Sequence, residues 1–315
     1  MHGTWHWRGH NCHWRVLGDA QHPPLVLVHG FGAHCGHWRR NAAALASAGW
    51  CVYGLDLIGF GASSQPGPSR HRPLDNRLWA RQLQAFLEQV VQGPAVLVGH
   101  SLGGLVALSC SVFFPQWVRA VVAAPLPDPA LLTAAGPRRS PWMRRLQRWT
   151  VRLLCRLLPL ELVVPLLAHS PLLALGIQSA YRGPVLADGE LRRLIAAPAR
   201  RPTAPRALRA MSIGMALRPH GATAPALLSR LSLPLLLIWG RQDRLVPLAM
   251  AEQCRRLRRD LPLVVLEHSG HCPHDEVPGP FHGAVLDWLS QVPAATAPSA
   301  AYLWGSARSP SPPAP

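Results

Sequence analysis

The feature that most constrains this chain is an alternation: short apolar runs, several closed by glycine, are separated by longer segments with helical periodicity. The runs lie at 25–30 (LVLVHG), 51–57, 95–101 and 118–125, and the pattern resumes at 234–240 and 261–270. Helical patterns fill 41–50 and 74–91. A strand that is apolar along its whole length needs cover on both faces, which helices over a parallel sheet provide. The alternation therefore predicts an α/β protein: a mostly parallel central sheet, helices on both faces, and ligands at the carboxyl ends of the strands. An aromatic-rich opening, TWHWR and CHWRVLG around Gly9-His10-Asn11, reads as a β-hairpin.

From about Leu126 to Ser229 the strand pattern gives way to Arg- and Leu-rich helices broken by proline. The expected organisation is a core formed by 1–125 and 230–292, a helical lid insertion at 126–229, and a disordered tail rich in Ala, Pro and Ser at 293–315. Between Leu126 and Ala210 stand fourteen arginines against Asp128, Glu161, Asp188 and Glu190. In PWMRRLQRWTVRLLCRLL the Arg residues share one helical face and Trp, Leu and Val the other. Such helices suit a cover over the site, a tunnel for a long apolar chain, or contact with an anionic membrane surface; the plainer alternative is a lid with a solvated Arg face.

The formal net charge is +17, and every one of the 32 basic Lys/Arg positions is Arg. That excess points to anionic partners, but with no zinc-finger, RRM or KH pattern it is read as a membrane feature and not a nucleic-acid one. Seven scattered cysteines without a CxxC pair indicate neither a disulfide framework nor a zinc site. The segment before Gly18 has no apolar core or cleavage signal, so a cytoplasmic location is expected, peripheral on a thylakoid or other internal membrane. The apolar window 157–175 carries Glu161, His169 and prolines and reads as broken helices.

Chemistry concentrates in GHSLG, Gly99 to Gly103, a GxSxG between a strand-like and a helix-like run. That context is the nucleophile elbow, in which flanking glycines let the chain turn sharply and leave the serine hydroxyl above the sheet. A serine is a poor nucleophile without a base and an orienting acid, which in this fold follow in the order Ser, acid, His. His271 follows the last strand, in EHSGHCPHDEVP, and Asp243 follows the one before, in IWGRQDRLVP. The expected catalytic set is Ser101, Asp243 and His271, with backbone N–H groups of Phe31, in HGFGAH, and Leu102 forming the oxyanion hole. The alternatives are that Asp243 caps a helix starting near Leu248 and that His271 is a solvated loop residue. Asp128 is the reserve acid, and His274, Asp275 and Glu276 neighbour the base. His100 is expected to pack behind the elbow, Asp56 to order a turn, Trp38 to pack beside the oxyanion loop, and Cys272 to lie out of place for a nucleophile. His2, His6, His10 and His13 are read as surface residues, so no metal is expected.

From about Thr4 to Leu289 the chain resembles the serine α/β-hydrolases, here with a helical lid insertion. Within them WHWRGHNCHW, HGFGA followed by HWRRN, DLIGFGAS and HCPHDEVP resemble the pheophytinase and chlorophyll dephytylase group of plants and cyanobacteria. The resemblance implies a carboxylic ester hydrolase that cleaves the phytyl ester of chlorophyll-type pigments through an acyl-enzyme, with no metal or organic cofactor. This chain departs from many pheophytinases in having His100, not Asn, before the serine, and its insertion has no stretch that aligns. Other readings are a lipid esterase, a lactonase or a C–C bond hydrolase with the same triad, or a silent scaffold binding pigments or lipids. Haloalkane dehalogenases and epoxide hydrolases place Asp where this chain has Ser101.

Overall fold

A computed structural model describes residues 1–133 and 140–293. The expected tail at 293–315 lies outside the described residues apart from Pro293. Eight strands form one sheet: β1 (His2–Trp7), β2 (His10–Leu17), β3 (Pro24–Val28), β4 (Cys51–Leu55), β5 (Ala95–His100), β6 (Val118–Ala124), β7 (Leu235–Gly240) and β8 (Leu263–Leu266). Their order is β1-β2-β4-β3-β5-β6-β7-β8. β1 and β2 pair antiparallel and β2 joins β4 antiparallel, while every pairing from β4 to β8 is parallel. The hairpin turns at Arg8-Gly9, one step before the expected Gly9-His10-Asn11. Trp7 pairs with His10, and both loop residues have positive φ, 50° and 81°, as a two-residue type I′ turn requires.

The helices are α1 (Ala42–Ser47), α2 (Asn76–Phe86), α3 (Leu102–Phe113), α4 (Pro141–Leu157), α5 (Leu160–His169), α6 (Leu172–Ala180), α7 (Gly189–Ala199), α8 (Ala204–Ala216), α9 (Ala224–Leu228), α10 (Leu248–Leu257), α11 (Pro273–Glu276) and α12 (Pro278–Gln291). The alternation that made the strands uniformly apolar divides their side chains between two cores. Leu97 of β5 and Leu235, Leu237 and Trp239 of β7 face α2, α3, α9 and α10, whereas Val96, Val98, Leu236 and Ile238 face Leu45 of α1 and Phe281 and Val285 of α12. Helices α4 to α9 lie between β6 and β7 in the chain. Ala207, Ala210 and Met211 of α8 and Ala224, Leu227 and Leu228 of α9 join the first core, so 126–229 does not bury a core wholly its own.

From β3 the chain moves to one side to form β4 and then returns to the other side for β5. Adjacent loops leave the carboxyl ends of β3 and β5 in opposite directions, which opens a crevice there. Gly30 to Ala33 follow β3 and Ser101 follows β5, so the sheet order alone brings these two segments together.

Leu97 has no exposed surface, whereas Leu154 on α4 is 58% exposed. Leu97→Ala is expected to lower the unfolding free energy by about 2–5 kcal/mol and Leu154→Ala by under about 0.5 kcal/mol, read from urea denaturation midpoints.

Candidate active site

Ser101 sits between β5 and α3 with φ 52° and ψ −120°, a conformation rare for a side-chain-bearing residue. Tight packing of the elbow imposes it. A Cβ on Gly103 would stand 2.1 Å from the Val28 carbonyl oxygen, and one on Gly99 would stand 2.3 Å from the Gly103 carbonyl oxygen. Only glycine at both places lets the strand, turn and helix approach this closely, and the strain at Ser101, roughly 1–3 kcal/mol, is held by that packing.

His271 lies on the loop after β8 and Asp243 on the loop after β7. The His271 Nδ1–H donates to Asp243 Oδ2 at 2.9 Å, and Ser101 Oγ–H donates to His271 Nε2 at 3.0 Å. All three side chains are buried. The other carboxylate oxygen of Asp243 accepts the amides of Leu245 and Val246, each at 2.8 Å, so its orientation toward His271 is fixed from both ends. Asp243 does not cap α10, which has no side-chain cap. Asp128, the reserve acid, is spent elsewhere: it accepts Arg218 at 2.6 Å, the Ala224 amide at 2.7 Å and the Ala130 amide at 3.0 Å.

Leu102 opens α3, where the first amides of a helix have no partner inside it. Phe31 stands in the turn closed by the Ala33 amide on Gly30 O, with its ring 61% exposed and edge-on to Phe60. Asp56 orders the neighbouring turn, as expected, by accepting the amides of Cys35 at 2.7 Å and Ala62 at 2.9 Å. Cys272 is buried beside the base, and burial pushes its thiol well above the ordinary range.

Behind the triad lies a group that the sequence reading did not assemble. The rings of His37, His100 and His274, all buried, pack within 4.4–5.7 Å of one another, and the His274 ring lies tilted against Trp38 at 4.4 Å. His100 Nε2–H donates to the His271 carbonyl at 3.0 Å, which leaves its Nδ1 an unprotonated acceptor and holds the base's backbone from below. Tyr181 O–H donates to Asp275 at 3.0 Å and accepts from His37 Nε2–H at 2.8 Å. His37 Nδ1, His100 Nδ1 and both nitrogens of His274 have no hydrogen-bond partner among the described residues, at a cost of roughly 1–3 kcal/mol each. His100 and His274 had a visible signal, their places beside Ser101 and near His271; His37 had none, coming from the turn at Cys35–Trp38, far from both in sequence.

The insertion is bonded directly to the base. Ala180 O, at the end of α6, accepts the His271 amide at 2.8 Å. Glu276 accepts the amides of Gly270 and Arg182, each at 2.7 Å. Arg39, beyond the oxyanion turn, pairs with Asp275 at 3.1 Å and with Asp188 at 2.6 Å, and it holds the Asp188 carboxyl down at about 2.

Burial lowers His29 and His37 to about 4, and pushes His100 and His274 well below the ordinary histidine value. The unfolded chain thus binds protons that these folded imidazoles refuse. Their contribution is fully present above about pH 6.5 and is lost as pH falls toward 4. Each of His29 and His37 is expected to add roughly 1.4 kcal/mol per pH unit to the loss across that window, measured by urea unfolding at stepped pH, and the measured slope should fall by about that amount in His37→Gln.

Comparison with known proteins bears on the fold and the family. A family model described as alpha/beta hydrolase fold matches residues 23–278. A pimeloyl-[acyl-carrier protein] methyl ester esterase of Vibrio parahaemolyticus is 28% identical over 84% of this chain and 94% of its own. Bifunctional epoxide hydrolase 2 of Mus musculus is 32% identical over 38% of this chain, and the match spans only 21% of that relative's length. An alpha/beta hydrolase fold protein of Burkholderia ambifaria superposes with a TM-score of 0.69 at 23% identity, covering 90% of this chain and 97% of the other, a likeness of fold. The sheet order, the serine elbow at the carboxyl end of β5 and the family match across most of its length make this chain a member of the alpha/beta hydrolase fold family.

Proposed function

We propose that this protein is a serine hydrolase that cleaves a hydrophobic carboxylic ester through an acyl-enzyme. The observation that carries the reading is His271 bridging Ser101 at 3.0 Å and Asp243 at 2.9 Å. Ser101 Oγ attacks the ester carbonyl carbon as its proton passes to His271 Nε2. The carbonyl oxygen, now anionic, is held by the amides of Phe31 and Leu102. Collapse expels the alcohol, which takes the proton from His271, and leaves the acyl group on Ser101. Water then repeats the sequence and releases the acid. Asp243 keeps the proton of neutral His271 on Nδ1 and stabilises the imidazolium.

Two features support an apolar substrate. Phe31, in the turn after β3, presents an exposed ring, and α4 to α6 leave Trp142, Trp149, Leu162, Leu166, Leu172 and Leu175 exposed. Among the described residues no single helix is long and apolar enough to cross a membrane; α5 and α6 are apolar together but bent by 82°. The bend supports a lid lying along an anionic internal membrane, such as a thylakoid, where a long-chain ester could be drawn out. The finer reading, a phytyl ester of a chlorophyll-type pigment, rests on the resemblance of HGFGA, DLIGFGAS and HCPHDEVP to the dephytylating group.

Two measurements test this. Asp243→Asn is expected to lower kcat on a p-nitrophenyl ester by about 10⁴. Asp128→Asn is expected to keep kcat and lose about 3–5 kcal/mol of stability, and the reverse pair of results moves the acid to the loop after β6. Incubation with chlorophyll a and pheophytin a should release phytol. Turnover of the simple ester with neither pigment cleaved rejects the pigment and keeps the class, and no turnover of any ester rejects both.

A further inference from the structure

Away from Ser101, Asp243 and His271, none of which lines it, a cavity of about 740 Å³ opens between the segment before α2, the side of α4 and α8. Six arginines line it: Arg70, Arg77, Arg148, Arg152, Arg156 and Arg209. Two are already neutralised, Arg77 by Asp75 at 2.7 Å and Arg209 by Glu161, the cavity's acidic residue. Arg70, Arg148, Arg152 and Arg156 form no ion pair among the described residues.

This arrangement opposes the stability of α4. Arg148, Arg152 and Arg156 follow at every fourth position, the spacing at which like charges face each other, and α4 contains no acidic residue to separate them. Arginine stays charged at any pH the protein meets, so the repulsion cannot be relieved by losing a proton. An anion with several oxygens relieves it, and the planar guanidinium fork fits phosphate two bonds at a time. The same four arginines also line an adjoining cavity of about 820 Å³, whose wall includes the half-exposed Trp149 and Leu153. Charge and apolar surface meet along one helix.

We propose that this cavity binds the phosphate of a phosphate-bearing amphiphile, its oxygens held by Arg70, Arg148, Arg152 and Arg156 and its apolar part lying along Trp149 and Leu153. The site does not depend on the ester reading, so Ser101→Ala protein serves as well as wild type in the test.

Inorganic pyrophosphate is titrated calorimetrically, and the protein is sedimented with phosphatidylcholine vesicles with and without phosphatidic acid. Saturable pyrophosphate binding is expected, together with retention on the phosphatidic acid vesicles that pyrophosphate reverses. Arg148→Gln/Arg152→Gln should weaken both by about tenfold or more. Arg192→Gln/Arg193→Gln removes the same charge from α7, outside the cavity, and should change neither by more than about twofold. Arg70→Gln, which leaves the helices intact, should weaken binding in the same direction if the α4 variant fails to fold. Vesicle retention that pyrophosphate reverses supports the amphiphile, whereas pyrophosphate binding without vesicle retention overturns the amphiphile and leaves a site for a soluble phosphate compound. Binding of neither probe, or equal loss in the α4 and α7 variants, overturns it.

Discussion

The contact on which the rest of the structure depends is the approach of the elbow backbone to β3, where any side chain on Gly103 would collide with the Val28 carbonyl. It presses the start of α3 against the end of the neighbouring strand. That places the Leu102 amide beside the turn after β3 and forces Ser101 into its strained conformation. The hydroxyl is thereby lifted over the carboxyl edge of the sheet, where the loops after β7 and β8 can reach it. The two glycines of the motif act by what they lack.

The base is held from three sides. Asp243 fixes the tautomer, the His100 ring supports the backbone from beneath, and the end of α6 binds the His271 amide from above. Because Ala180 and Tyr181 belong to the helical segment between β6 and β7, that segment is hydrogen-bonded directly to His271 and His37. Arg39 closes the circuit by joining the oxyanion side of the crevice to Asp275 and Asp188. A shift of α6 must therefore be felt at His271.

The alternation of apolar runs and helical segments was enough to read the parallel sheet, because burial on both faces leaves a mark on every residue of β5 and β7. Ser101, Asp243 and His271 were legible because chain order and strand ends confine where such a set can meet. Only Asp243 is hydrogen-bonded to His271, and the partners that engage Asp128 are ones no spacing reveals: Arg218 and the Ala224 amide lie about ninety residues from it. The histidine cluster and the Arg39 network were hidden for the same reason, since each joins loops distant in sequence by side chains that look ordinary singly. The hairpin turn was misplaced by one step because Arg8 carries no compositional sign that it adopts a positive φ.

The central claim is that the geometry at the carboxyl end of β5 makes Ser101 a nucleophile. A fluorophosphonate probe followed by peptide mass spectrometry measures this directly, since it reacts only with a serine whose hydroxyl is activated by a base. One adduct per chain is expected, located on Ser101, absent in Ser101→Ala and strongly slowed in His271→Gln. An unlabelled wild-type protein, or an adduct on any other residue, would contradict it.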